Sequence, residues 1–205
     1  MKKSIGSLLT VALVTTLVAS LTGCTILNAI LGEYTEPEFD IREARVLVPA
    51  FRDGRMFHYE STRGDAVGNA VAMQLQSEGG CQLVGDHEVE DGVIRGDYPD
   101  PPPWGQLGAD AGADFVVLGW LRSVKVSDDV VYGMLQGSAE VRVEVWDTRE
   151  KRAVHKKTFT VKFPEDTNKE VTPVGEITEM QLEKKLLSRA AVKIGHIYCG
   201  EHHRR

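Results

Sequence analysis

Cys81 and Cys199 are the side chains of this sequence with the most chemistry at hand. Two thiols left in one domain are candidates for a disulfide, and the long loop it would close is worth about 4 to 5 kcal/mol in the chain-entropy model. Two other readings fit the same residues: a pair of buried inert thiols, or a metal site joining Cys199 with His202 and His203. A structural zinc takes four N or S ligands, and this one Cys-x-x-His-His cluster has no second ligand pair. Nucleophile chemistry is poorly provided for. Gly137-Ser138 lacks the Gly-x-Ser-x-Gly elbow and falls where a strand is expected. Gly64-x-x-x-Gly68 lacks the Lys-Ser/Thr that completes a phosphate loop. His-Glu-x-x-His, Cys-x-x-Cys and a dinucleotide fingerprint do not occur. His58 follows a strand end and His155 lies on a hairpin, and Asp86, Glu88, Glu90 and Asp91 form an acidic run that reads as a solvated face. The expectation is a chain without catalytic residues, without a cofactor and without a metal, and therefore not an enzyme.

What remains is recognition. Tyr98, Pro99, Pro101, Pro102, Pro103 and Trp104 set aromatic rings beside a stiff segment of low conformational entropy, a composition suited to a partner surface. The same residues also read as a proline-rich connection pinned by a buried Trp104. Val124 to Gln136 is a second candidate, as an exposed edge or as a plain turn. With 24 Lys and Arg against 30 Asp and Glu, and no basic block before the last two residues, the chain lacks the positive surface that nucleic acid requires.

These residues need a scaffold. At 205 residues with 42% hydrophobic and 26% charged side chains, the chain suits one globular domain with an appendage. Ala44 to Phe51 is a short apolar run expected as a buried strand. From Asp65 to Glu78 the residues Ala66, Val67, Ala70, Val71 and Leu75 recur at helical spacing, and Gly79-Gly80 supplies a stop. Cys81 to Val84 reads as a second strand, Asp86 to Ile94 as a short helix or loop, and Asp97 to Pro103 as extended chain. Trp104 to Gly112 is a short Gly-rich helix, and Asp114 to Leu121 a buried strand. Strand, helix, strand, helix, strand implies parallel neighbours. Beyond it, Val141, Val143 and Val145 alternate with Glu140, Arg142 and Glu144, and the turn at 148–151 leads to Phe159, Val161 and Phe163: an antiparallel hairpin with one wet face. Residues 166–173 are expected as polar loop. Leu182, Leu186, Ala190, Ile194 and Ile197 mark a last helix from Glu176 to Tyr198, and 201–205 form a tail in which His202 to Arg205 are expected to fray.

The amino terminus carries an address. Lys2 and Lys3 precede a stretch without charge from Ser4 to Gly32, most apolar between Leu8 and Leu21, which is the form of an export signal. Leu21-Thr22-Gly23-Cys24 resembles the lipobox of bacterial lipoproteins. That resemblance implies cleavage after residue 23 and acylation of Cys24, and several acyl chains hold a protein on a membrane far better than one. The removed segment contains two lysines and no acid, so the mature chain is two charges more negative than the −6 of the precursor, and lipid rather than charge must anchor it. Thr25, where Asp would imply inner-membrane retention, implies the periplasmic face of the outer membrane. Residues 24–43 then form the lipidated tether and 44–200 the globular domain.

The order of parts has a counterpart. Val46-Leu47-Val48-Pro49-Ala50-Phe51, a helix, Gln82-Leu83-Val84, Leu107 to Gly119 (LGADAGADFVVLG) and Val145-Trp146-Asp147-Thr148 resemble the periplasmic domain shared by CsgG-type secretion lipoproteins, LpoB-type activators of penicillin-binding proteins and the TolB amino-terminal domain. The resemblance implies an α/β fold, a three-layer α/β/α sandwich around a mixed sheet of four or five strands. It also implies a non-catalytic binding or scaffolding role in cell-envelope assembly with a protein partner or a homo-oligomer. The alternative it offers is a component of a secretion or polysaccharide-export machine that forms a homo-oligomeric ring.

Overall fold

A computed structural model describes residues 33–54, 62–85, 92–93, 97–129, 134–164 and 178–203. They belong to two compact units, one of residues 37–199 and one formed by the residues before 37 and from 200 onward. In the smaller unit β1 (Glu33–Thr35) pairs antiparallel with β8 (Glu201–His203). The expected fraying of the tail is thus corrected for 202–203. After a left-handed turn at Gly200, φ +81°, their backbone groups find partners in β1 and need not rely on water.

In the larger unit the sheet runs β4-β2-β5-β6-β7, with β3 also against β5. Its strands are β2 (Arg45–Leu47), β3 (Arg52–Asp53), β4 (Gln82–Leu83), β5 (Phe115–Asp129), β6 (Met134–Asp147) and β7 (Arg152–Phe163). β2 lies parallel to β4 and β5, and β3 parallel to β5. β5, β6 and β7 follow one another antiparallel. The sheet is mixed, as expected, with six strands rather than four or five. The strand expected over 44–51 is shortened to β2, which ends at Leu47 ahead of Pro49, a residue with no N–H to donate to a ladder, and β3 begins past the expected run at Arg52. The stretch from Val124 to Gln136 is neither a turn nor a free edge where it is described. β5 continues through it to Asp129 and pairs with β6 down to Asp129 opposite Met134. Arg122 is an extra residue in β5. The bulge lets Leu121 and Val124 face the same side although three positions apart.

Helices α1 (Thr62–Gly79) and α3 (Glu179–Cys199) cover one face of this sheet. Val67, Val71 and Leu75 of α1 recur every fourth residue and are fully buried, as are Leu182, Leu186, Ala190 and Ile194 of α3. Both stripes pack over Val117, Val141, Val143 and Val145, each apolar side chain contributing about 1.5 to 3 kcal/mol by burial. Thr178 caps α3: its N–H donates to Gln181 Oε1 and its hydroxyl accepts from Gln181 N–H, at 2.8 and 3.2 Å, a reciprocal capping box. Packing begins before Ala44, since Ile41 is buried in this core and Glu38 N–H donates to the Ile197 carbonyl. On the other face, among the described residues, α2 (Trp104–Asp110) packs over Leu47, Val116 and Leu118 together with Val93 and Tyr98. It sits very close because it has no Cβ where it touches: a methyl at Gly108 would stand 2.3 Å from Val116 Cγ2, and one at Gly105 2.6 Å from Lys151 Cα. An α/β sandwich results, with α1 and α3 on one face and, among the described residues, the short α2 on the other.

Candidate functional site: a tryptophan-lined cavity

The site lies on the α2 face of the sheet. Side chains alternate across a strand, so the wet face of β6 carries Arg142, Glu144 and Trp146. In register across β5 these residues meet Trp120, Leu118 and Val116 respectively, and Arg52 of β3 lies opposite Trp120 on the far side. A helix of seven residues is about 10 Å long. α2 therefore covers the Val116 end of this face and does not reach over the Trp120 end. Between them is a cavity of about 220 Å³, with Trp104 and Pro101 from the roof and Trp120, Trp146, Arg52, Arg142 and Glu144 from the sheet. The chain has three tryptophans, and all three line this space.

Its charges are held in pairs. Glu144 is 5% exposed. Its Oε1 accepts from Arg142 Nε at 3.0 Å, from Arg142 Nη2, and from Lys156 Nζ at 2.8 Å. Trp146 Nε1 donates to Oε2 at 3.4 Å. Burial alone would raise the carboxyl's pKa, but the Lys156 and Arg142 hydrogen bonds outweigh it and hold the group below the usual glutamate value. The Arg142 guanidinium lies 5.1 Å from the Trp120 ring centroid, within cation–π range. At the mouth Arg52 Nη2 donates to Asp100 Oδ1 at 2.9 Å. A carboxylate kept ionised by two cations has no proton to deliver at neutral pH and is a weak base. The arrangement is chemically suited to holding a guest rather than to moving protons.

Of the expected contact residues, Trp104 is buried as part of the cavity roof, Pro101 lies exposed at its edge, and Tyr98 packs half-buried in the same cluster. Pro102 is buried and Pro103 exposed. Trp120, Arg142, Glu144, Trp146 and Arg52 were not singled out from sequence. The alternation of β6 placed three of them on one face, but nothing local told what covers that face.

The thiols are neighbours. Neither Cys81 nor Cys199 is in a disulfide, both are buried, and a methyl group at Gly79 would touch both sulfurs, at 3.2 and 2.4 Å. Hydrogen bonding between them holds the Cys81 thiol below, and pushes the Cys199 thiol above, the ordinary value. His155 Nδ1 is 3.2 Å from the Tyr198 hydroxyl and the ring stacks on Phe39. Burial holds its pKa below the ordinary histidine value. Among the described residues no three His, Cys, Asp or Glu side chains gather as a metal would require. The side chains of His202 and His203 lie outside the described set, as do Cys24 and the whole export signal, His58, Asp86, Glu88, Glu90, Asp91 and residues 166–173. Among the described residues no helix is long and apolar enough to cross a membrane.

No family model and no curated protein matches this chain. Several solved structures are similar to it. The PelC dodecamer from Paraburkholderia phytofirmans aligns at 11% identity and a TM-score of 0.48, over 82% of this chain and 97% of that one. Lipoprotein GNA1162 from Neisseria meningitidis aligns at 14% and 0.46, over 75% and 99%. The LpoB C-terminal domain from Escherichia coli aligns at 11% and 0.38, over 58% and 82%. Identities and scores this low transfer no activity, partner or stoichiometry to the present chain.

Proposed function

We propose that this protein is an exported lipoprotein, held through acyl chains on Cys24 at the periplasmic face of the outer membrane, whose α/β domain is a non-catalytic binding module in the cell envelope. The tryptophan cavity is its contact site. The observation that carries this reading is the convergence of every tryptophan of the chain with two arginines on one open cavity of the sheet, the residue types that dominate binding hot spots. The paired charges around it support recognition over catalysis. Pro101 at the edge and Trp104 in the roof tie the proline-rich segment to the same site. The export signal and the Leu-Thr-Gly-Cys motif support the anchor.

Two variants of the full chain test the two halves of this reading. Cys24→Ala is expected to abolish incorporation of a labelled fatty acid into the protein, and unchanged labelling contradicts the lipid anchor. Trp120→Ala is expected to leave the protein folded and membrane-bound while abolishing its crosslinks to envelope components. Light scattering of the purified chain separates a monomeric or small adaptor from a ring-sized assembly, the outcome that would favour an export machine.

A further inference from the structure

The lining of the cavity narrows its guest. Three indoles offer apolar faces, yet polar valences remain among them. Arg142 spends Nε and Nη2 on Glu144, and among the described residues nothing engages its Nη1 donors. The Trp120 indole N–H likewise has no hydrogen-bond acceptor among the described residues. Glu144, more than nine-tenths buried, has Oε1 crowded with donors, whereas among the described residues Oε2 receives only the Trp146 indole at 3.4 Å, beyond the ordinary N–H···O range. A purely apolar guest would strip water from two donors and one acceptor and return nothing to them. An ionic guest finds little to attract it, since Arg52 is paired with Asp100 and Arg142 with Glu144. The fitting guest is a neutral ring with one apolar face and a rim of groups that both donate and accept, and hydroxyls do both. At about 220 Å³ the space equals about seven waters at ~30 Å³ each. It holds one ring, with the open mouth left for whatever the ring is attached to.

We infer that the tryptophan cavity binds a neutral pyranose, one sugar unit of an envelope glycan, with Trp120 as the stacking platform and Arg142 Nη1 and Glu144 Oε2 as hydrogen-bonding partners of its hydroxyls. The inference rests on the cavity being the contact site of the module. Because all three tryptophans line it, intrinsic fluorescence reports the site directly. The full chain in a detergent without sugar headgroups is titrated with tetra-N-acetylchitotetraose, cellotetraose and maltotetraose, with decaproline in a parallel arm. The expected result is a saturable shift in emission with at least one tetrasaccharide. Trp120→Ala should weaken it by roughly tenfold or more, and Trp120→Phe, which keeps a ring face, should weaken it less. Arg142→Ala should weaken it while leaving the circular dichroism spectrum unchanged, which separates lost contacts from lost fold. No saturable response to any saccharide overturns the sugar assignment. So does a response that Trp120→Ala and Arg142→Ala leave unchanged. Saturable binding of decaproline alone overturns the sugar assignment while leaving the cavity a docking site for protein. Silence in both arms, with crosslinks in cells unaffected by Trp120→Ala, overturns the site itself.

Discussion

Gly119→Ala is the most informative single substitution in the sheet, because its sign opposes intuition. Gly in a strand interior is intrinsically worse than Ala by about 0.5 to 1 kcal/mol, so an unobstructed exchange would stabilise. Here the new methyl would stand 2.0, 2.1 and 2.2 Å from three carbons of the Phe51 ring, against a normal contact of about 3.5 to 4.0 Å. Phe51 is fully buried in the core under α1 and α3, so the ring must retreat by about 1.5 Å through a close-packed interior. Overpacking of that kind costs about 1 to 3 kcal/mol. Set against the backbone gain, the net loss centres on about 1.3 kcal/mol and reaches about 2.5 kcal/mol, a fall in melting temperature of about 3 to 5 °C at the centre and at most about 10 °C for a domain of this size. Thermal melts followed by near-ultraviolet circular dichroism measure it. A double variant with Phe51→Leu should lose less than the sum of the two single losses, since the smaller side chain vacates the space the methyl needs. An unchanged or raised melting temperature in Gly119→Ala, or strict additivity in the pair, refutes the claim that Phe51 occupies the place of the missing Cβ.

Three further outcomes are expected. Trp104→Ala, which removes a side chain that is 5% exposed, should cost about 3 to 5 kcal/mol in a denaturant titration, clearly more than the half-buried Trp120→Ala; equal losses would contradict the roof-and-wall arrangement. The pKa of Glu144 is depressed on folding, so its contribution is present above the ordinary glutamate value of 4.5 and lost as pH falls below it; Glu144→Gln should lower stability at pH 7 and flatten this acid limb, and a parallel acid limb would contradict the pairing. From an oxidising compartment the chain should arrive with Cys81 and Cys199 joined, two hydrogens lighter by intact mass until reductant is added, and two thiols alkylatable after denaturation without reductant would contradict that bond.

Much of the scaffold was legible because it follows local periodicity. The stripes Val67-Val71-Leu75 and Leu182-Leu186-Ala190-Ile194 give α1 and α3 directly, and the apolar run around Val116-Val117-Leu118 with the alternation of Val141, Val143 and Val145 gives the central strands. The extension of β5 was not legible, since Ser123 to Asp129 is largely polar and its strand state depends on pairing with β6 across the chain. β8 depends likewise on β1, some 170 residues away. The cavity was half legible. Trp104 and Pro101 stood out by composition, and the wet face of β6 by its period of two. That Trp104 roofs that face is a contact between segments far apart in sequence, fixed by the glycines that bring α2 down onto Val116 and Lys151.

The proposed role is tested most directly in living cells carrying the full chain with a photoreactive benzophenone side chain at position 101, on the cavity edge, or at position 73, 69% exposed on α1 of the opposite layer. A discrete adduct from position 101, lost on Trp120→Ala and not seen from position 73, is the predicted result. Its staining for carbohydrate or for protein then identifies the guest class. No adduct from position 101, or the same adducts from both positions, contradicts the reading of this cavity as the contact site.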